Sequence, residues 1–179
     1  MKIFRPRTAD GYELIHPVDR ADFEFFRMML NGQPRQREWK PIKMKLIHDD
    51  GCLPLAYADA PSMVTSELYF REHVVKTLSP LLHSCGEFLP LVCDEADVFV
   101  YNTTRFIDAL DESRSELSRG TDGRIMYIRK ACLKGELAQG VDAFRLPVAS
   151  RPTFFSERVV NLWKSAGFVG LDFKLIETS

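Results

Sequence analysis

Four carboxylate side chains between residues 108 and 116 have the types and spacing that could bind a metal ion. They are Asp108, Asp111, Glu112 and Glu116. On a helix these positions would lie along one side, because residues three and four apart are neighbours. Mg²⁺ and Ca²⁺ prefer such oxygen ligands, so a small metal-dependent hydrolase is one hypothesis. The alternatives are capping and salt-bridge roles with Arg105, Arg114 and Arg119, or an acidic surface that faces a partner.

The remaining reactive side chains lack the spacing that a catalytic site requires. None of the four histidines (His16, His48, His73 and His83) stands at metal-ligand spacing from another. Ser113 and Ser115 are not part of a G-x-S-x-G elbow, and the chain contains neither a P-loop nor a G-x-G-x-x-G motif. Nucleophilic catalysis therefore has no nucleophile with an activating partner, and we assign no catalytic residue, no cofactor and no metal ligand.

The four cysteines are expected to be buried free thiols. Cys52, Cys85, Cys93 and Cys132 form no CxxC pair, and no histidine lies at zinc-finger spacing from them. Their neighbours are mainly apolar. A free cysteine packs as a small hydrophobic residue, whereas a structural zinc needs a closer set of ligands.

Charge is distributed unevenly along a chain whose net charge is only −1. Residues 46–122 contain five Lys/Arg and fourteen Asp/Glu, a balance of −9, while residues 1–45 and 123–179 each stand at +4. Such blocks can mix on a folded surface, or they can form an acidic face that attracts a basic partner. The predicted partner-binding residues on that face are Asp94, Glu95, Asp97, Asp111, Glu112 and Glu116.

Nucleic-acid and membrane partners are not expected. Trp39 stands among basic residues, as in proteins that bind single strands. These residues are Arg35, Arg37, Lys40, Lys43 and Lys45. Because the net charge is near neutral, a solvated loop and strand is the favoured interpretation. No apolar run approaches the ~18 residues that span a bilayer, and the first residues lack the apolar centre of a secretory signal, which predicts a cytoplasmic protein.

Hydrophobic periodicity and turn signals predict the helices that position these residues. One helix is predicted at residues 17–32, with Asp19 as its N-cap. A second begins near Thr65 or Ser66, is kinked or broken at Pro80 and closes at Cys85-Gly86. A third follows Ser156 and ends at Gly167. Their predicted apolar faces are Phe23, Phe26 and Leu30 on the first helix, Leu68, Val75, Leu78 and Leu82 on the second, and Val159, Val160, Leu162, Trp163 and Ala166 on the third.

Strands are predicted where apolar residues alternate or cluster between turns, at residues 42–47, 124–133, 143–146 and 171–176. Residues 88–93 and 98–102 are predicted to form an antiparallel hairpin with a four-residue connection. Residues 105–117 are ambiguous between a short helix and an extended acidic segment. Together these elements predict an α+β fold, a single domain with a mainly antiparallel sheet and about three packed helices.

Two stretches of the chain also share the same order of sequence signals. Ser66-Glu67, a helix, Gly86 and a strand are followed ninety residues later by Ser156-Glu157, a helix, Gly167 and a strand. Either an internal duplication or the general chemistry of helix starts and stops explains this similarity.

Several segments, taken in order, carry a resemblance to a known family. Trp39-Lys40-Pro41 precedes a strand, Leu78-Ser79-Pro80-Leu81-Leu82 ends a helix, and Gly86-Glu87-Phe88-Leu89-Pro90-Leu91 follows. The most specific part is Asn102, Thr104, Asp108-Ala109-Leu110-Asp111-Glu112 and Ser115-Glu116. Phe144-Arg145-Leu146-Pro147 and residues 167–173 come later. This order resembles a bacterial immunity-protein family, the one numbered eleven among polymorphic toxin systems.

The resemblance implies a non-catalytic, cytoplasmic inhibitor that binds a cognate toxin domain and occludes its active site. It implies an immunity-protein-like α+β domain at residues 38–179, with residues 1–37 as a helix-containing extension packed into the same unit. It does not say which residues contact the toxin, since Asn102 and Asp108 could equally hold a strand corner through side-chain-to-backbone bonds. An oligomeric scaffold or signalling domain is a further alternative, and the oligomeric state is not predicted.

Overall fold

Three helices and thirteen strands provide the regular structure of the computed structural model, which describes residues 2–63, 67–148 and 152–179. The sheets are mostly antiparallel, which confirms the predicted α+β class and the single domain. The helices are α1 (Asp22–Met29), α2 (Glu72–Leu82) and α3 (Glu157–Ser165), and a short 3-10 helix covers Gly135–Ala138. The strands are β1 (Ile3–Thr8), β2 (Leu14–Pro17), β3 (Lys43–Ile47), β4 (Leu68–Arg71), β5 (Gly86–Pro90), β6 (Val92–Cys93), β7 (Val98–Thr103), β8 (Glu116–Arg119), β9 (Ile125–Lys130), β10 (Cys132–Leu133), β11 (Ala143–Phe144), β12 (Phe154–Ser156) and β13 (Leu171–Thr178).

The strands form four sheets, and the largest has the order β10-β13-β1-β12-β11. Two three-stranded sheets have the orders β2-β3-β6 and β4-β7-β5, while β8 and β9 form a two-stranded sheet. β1 lies at the centre of the largest sheet and is antiparallel to both β12 and β13. The first strand of the chain is therefore hydrogen-bonded along its length to the last.

Three clusters of buried apolar side chains hold these elements together. The first includes Val74 of α2 and Trp163 of α3. The second includes Phe26 of α1 together with residues of β3 and β7. The third joins Ile3 and Phe154 of the largest sheet to the β8–β9 hairpin. No helix among the described residues is long and apolar enough to cross a membrane.

The unit that ends the chain follows the predicted pattern. Ser156 Oγ accepts a hydrogen bond from the Val159 backbone N–H, which caps the start of α3. Val159, Val160 and Trp163 on the predicted apolar face are buried. Gly167 has a φ of +72°, a conformation that glycine adopts easily, and the chain then turns into β13.

The second helix begins later than predicted. Its predicted start at Thr65 or Ser66 lies outside the described residues, and Leu68, which we expected on its apolar stripe, belongs to strand β4. β4 pairs with β7 from Leu68 opposite Tyr101 to Arg71 opposite Val98. Hydrogen bonds to a strand thirty residues away thus override the local helical pattern.

Pro80 does not break this helix, so the predicted break is wrong, while a kink stays a prediction. α2 runs from Glu72 through Pro80 to Leu82. Pro80 stands in the last turn, where its missing N–H removes one bond to the preceding turn and little helix remains to be disturbed. Leu78 and Leu82, both predicted on the apolar stripe, are buried.

The predicted N-cap of the first helix is also wrong. α1 begins at Asp22, and Asp19 Oδ1 accepts a hydrogen bond from the Ala21 N–H at 2.9 Å, which closes the turn before the helix. Phe26 and Leu30 of the predicted apolar face are buried.

The predicted hairpin is correct only for part of its first strand. β5 pairs antiparallel with β7, from Gly86 opposite Thr103 to Pro90 opposite Phe99. The next residues leave this pair and form β6, which runs parallel to β3. Residues 88–93, predicted as one strand, therefore belong to two different sheets.

Two strand–helix–strand units share a short sequence. Residues 70–75 (FREHVV) and 155–160 (FSERVV) each end a strand and start a helix. Glu72 is the first residue of α2 and Glu157 is the first residue of α3. In the sequence comparison above, Glu67 corresponded to Glu157. That correspondence is wrong, because Glu67 precedes a strand and not a helix.

Candidate functional site

The carboxylates between residues 108 and 116 do not lie on a helix. Leu110 bridges to Leu133, a turn covers residues 112–114, and strand β8 starts at Glu116. Asp111 Oδ1 accepts hydrogen bonds from Ser113 Oγ at 2.6 Å and from the Arg114 N–H at 3.3 Å. The Ser113 hydroxyl thereby lowers the pKa of Asp111. The Asp111 carboxylate therefore caps a turn, and capping was one of the alternatives to a metal site.

The other three carboxylates of this segment do not converge on Asp111. Glu112 forms an ion pair with Arg119, Glu116 lies opposite Lys130 in the hairpin, and Asp108 is exposed. Within residues 2–63, 67–148 and 152–179, no group of three or more His, Cys, Asp or Glu residues is placed to hold a metal ion.

The second predicted acidic group lies in the turn between β6 and β7. Asp94 forms an ion pair with Lys43 at 3.2 Å, and Glu95 contacts His48 Nε2 at 2.6 Å. Asp97 is exposed, and its backbone carbonyl accepts a hydrogen bond from the Glu72 N–H at 3.0 Å. The six predicted contact residues thus form two groups on different elements, and Asp94, Glu95 and Glu112 already have intramolecular partners.

A buried carboxylate that we did not predict, Glu13, organises a polar network nearby. Its Oε2 accepts hydrogen bonds from Arg71 Nη2 at 2.7 Å and from the Ala58 N–H at 3.0 Å. His48 Nδ1 lies 3.1 Å from Oε1. Because Arg71 and Ala58 are 58 and 45 residues away in the sequence, no local pattern announces these contacts.

His48 links Glu13 to Glu95 and so joins two loops. The pKa of His48 is raised above its ordinary value, mainly because of the hydrogen bond to Glu95. A second histidine, His73, makes a similar contact to the buried Asp59 at 2.7 Å, and Asp59 also accepts a hydrogen bond from the Val169 N–H. These pairs tie loops to strands and to α2, which is a structural role.

The most specific residues of the resemblance also make structural contacts. Asn102 is fully buried, and its Nδ2 donates to the Gln33 carbonyl at 2.8 Å. Ser115 Oγ accepts from the Cys132 N–H and donates to the Cys132 carbonyl. Asn102 therefore has the side-chain-to-backbone role that we considered for it, whereas the exposed Asp108 has no such bond within the described residues.

Glu87 holds the loop that precedes β3 against this region. Its carboxylate accepts hydrogen bonds from the backbone N–H groups of Arg35 at 2.7 Å and Gln36 at 3.2 Å, and from Asn102 Nδ2 at 3.3 Å. The loop that precedes β3 is thus hydrogen-bonded to strands β5 and β7. Trp39 is fixed as well, because its Nε1 donates to the Pro90 carbonyl at 2.7 Å.

The cysteines fit the prediction only in part. Cys85 and Cys132 are buried free thiols, but Cys93 is half-buried and Cys52 is exposed. Cys52 lies in a tight turn in which Asp50 Oδ1 accepts hydrogen bonds from the backbone N–H groups of Cys52 and Leu53. The turn, and not the apolar neighbours of Cys52, decides its exposure.

Part of the chain is similar to a known protein family. Residues 93–178 match the model of a family of immunity proteins. That family is the Immunity protein family (Imm11), so the resemblance seen in the sequence is confirmed over this segment. No curated protein matches the chain. The matched segment is joined to the rest of the fold, because β13 pairs with β1 and β7 pairs with β4 and β5.

Proposed function

We propose that this protein is an immunity protein that binds a cognate bacterial toxin domain and covers its active site without catalysing a reaction. The observation that carries the proposal is the match of residues 93–178 to an immunity protein family. Contacts among the described residues also support it, since His48, His73 and Glu112 pair with other side chains of this chain. A toxin made in the producing cell would have to be bound there, which makes the cytoplasm the proposed location.

Occlusion of this kind requires a substantial interface. Stable protein complexes bury on the order of 1,600 Å² in total, about half of it on each partner. Aromatic and arginine anchors supply most of the affinity, and complementary charge supplies the association rate and the specificity. The acidic residues Asp94, Glu95, Asp97, Asp111, Glu112 and Glu116 are a proposed contact surface for a toxin with a basic cleft.

Co-expression tests both the function and this acidic surface. The toxin domain would be the C-terminal domain of the large open reading frame immediately upstream of this gene, and the readout is growth of the host cell. We expect the wild-type protein to protect the cell. If the acidic surface contacts the toxin, the triple variant Asp111→Lys, Glu112→Lys and Glu116→Lys protects less, because like charges then face the toxin.

The matched control carries the same change of charge elsewhere. Asp10→Lys, Glu38→Lys and Glu136→Lys replace three exposed carboxylates outside the predicted surface. Circular dichroism and thermal unfolding establish that both variants fold. Full protection by the first triple variant removes these residues from the interface, whereas loss of protection by the wild-type protein would refute the function itself.

A further inference from the structure

A basic cleft lies between the largest sheet and the β8–β9 hairpin. It encloses about 170 Å³. Five cationic side chains line it, together with one carboxylate, Glu177. The cations are Arg5 and Arg7 of β1, Arg129 and Lys130 of β9, and Lys174 of β13.

The fold brings together cations from opposite ends of the chain. Arg5 stands opposite Lys174 in the antiparallel register of β1 and β13. Side chains directly opposite each other on adjacent strands share a face, so both project from one side of the sheet. Arg129 and Lys130 arrive from the hairpin. The two flanks that each carry a charge of +4 therefore converge on one cleft.

Four of these cations lack intramolecular counter-ions in the part of the chain that the structure describes. Lys130 forms an ion pair with Glu177 at 3.0 Å, and Glu177 also binds Arg114 at 2.9 Å. Arg5, Arg7, Arg129 and Lys174 form no side-chain hydrogen bond or ion pair there, although Asp172 stands opposite Arg7 in the strand register. Like charges held together destabilise a fold, so an unneutralised cluster of this kind is typical of a binding surface.

Apolar and aromatic groups accompany the charges. Phe154, Ile176 and Ile128 line the cleft between the cations. On the same hairpin strand, Met126 and Tyr127 are 63% and 62% exposed. Tyrosine, methionine and arginine are enriched at protein–protein interfaces, where they act as anchors.

We propose that this basic cleft is the docking site for an acidic segment of the toxin. The segment would carry at least two carboxylates for Arg7, Arg129 and Lys174 and an apolar side chain for the floor at Phe154. This inference rests on the proposed function and assigns the partner-binding surface within it. It differs from the acidic surface, which would attract a basic partner.

Charge favours a protein segment over a nucleic acid as the occupant. A polyanion follows an extended basic track and needs many phosphate contacts. Here the cations are confined to one small cleft on a chain of net charge −1, and residues 46–122 carry a balance of −9 that would repel a long polyanion. A short acidic segment can pair with the cations of the cleft without approaching residues 46–122.

The test compares binding of the upstream-encoded toxin domain to the wild-type protein and to two triple variants by isothermal titration. Arg7→Glu, Arg129→Glu and Lys174→Glu reverse the cleft, and all three positions are exposed. We expect the affinity to fall by about 100-fold, because each reversed charge repels the acidic segment. The control, Arg20→Glu, Arg37→Glu and Lys40→Glu, changes the net charge equally at exposed positions and should stay within about threefold of the wild type.

A rescue experiment separates docking from a purely structural effect. Lysine substitutions of acidic residues in the toxin domain should restore binding of the cleft variant, which no loss of stability would allow. If the glutamate variant does not fold, Arg7→Gln, Arg129→Gln and Lys174→Gln replace it and should weaken binding in the same direction.

The outcomes discriminate between the two proposals. Unchanged binding of a folded cleft variant overturns the docking site and leaves the function intact, whereas absence of binding by the wild-type protein overturns the function as well. A single-stranded oligonucleotide of about 12 nucleotides serves as the competing probe. If the cleft variant loses the oligonucleotide but retains the toxin, the cleft is a nucleic-acid site and the inference is overturned.

Discussion

Individual side chains in this protein work mainly by fixing loops to distant strands. Glu13 is buried and accepts hydrogen bonds from Arg71 and Ala58, and His48 connects it to Glu95. Buried carboxylates are costly unless they are paired and hydrogen-bonded in this way. Charged residues that could have suggested catalysis therefore stabilise the fold.

His48 makes part of this stability dependent on pH. The hydrogen bond to Glu95 raises the pKa of His48 above its ordinary value of 6.5. A raised pKa means that the charged contact stabilises the folded state fully below the unfolded pKa, and that this contribution is lost as the pH rises through the folded pKa. We predict that His48→Gln lowers the free energy of unfolding more at about pH 5.5 than at about pH 8.5.

Urea unfolding of both proteins at the two pH values measures this difference. His83→Gln is the matched control, because the His83 ring contacts the Ser79 carbonyl and no carboxylate. An effect of His48→Gln that is equal at both pH values, or greater at the higher one, contradicts the assignment of the stabilising contact.

At the scale of elements, close backbone approach decides how β5 and β7 pair. Gly86 starts β5 opposite Thr103, and a Cβ added there would lie 2.5 Å from the Asn102 carbonyl oxygen and 2.8 Å from the Tyr101 hydroxyl. The carbonyl belongs to the backbone of a paired strand and cannot move freely. The glycine is thus required by packing, although its position after a helix also made it a predicted stop signal.

Gly86→Ala should therefore destabilise the protein by about 2 kcal/mol or more, as expected for overpacking against rigid neighbours. The comparison is Gly135→Ala, whose added Cβ would meet the Thr178 side chain at an ordinary distance of 3.4 Å. Thermal and urea unfolding of the two variants provide the measurement. Equal stability of both variants would show that the strand pair tolerates the extra carbon.

How far the sequence predicted these elements depended on where their hydrogen bonds lie. α3 was predicted well because Ser156, Val159 and Gly167 are local signals within one helix. Leu68 was placed on a helix because its periodicity is helical, but β7 supplies a partner that only the folded chain reveals. The split between β5 and β6 is likewise decided by β3, more than forty residues earlier.

The candidate site was predicted less well than the fold, for the same physical reason. The charges of Asp111, Glu112 and Glu116 were visible in the sequence, but their helical arrangement did not form. The basic cleft draws Arg5 and Arg7 from one end and Lys174 from the other. Charge counting found both basic flanks, but only the pairing of β1 with β13 shows that they meet.

At the scale of the whole molecule, the proposed function requires that the protein act by contact with a partner. Residues 93–178 match an immunity protein family, and cations of β1, β9 and β13 line one basic cleft. A protein that covers its partner is consumed in the complex, whereas an enzyme that inactivates its partner is not. Stoichiometry therefore separates the two.

The most direct measurement is titration of the activity of the upstream-encoded toxin domain with increasing amounts of this protein. We predict that inhibition is complete at about one equivalent, does not progress with time at lower ratios, and accompanies a stable complex on gel filtration. Progressive inactivation by a small fraction of an equivalent, or full toxin activity at a large excess, would contradict it.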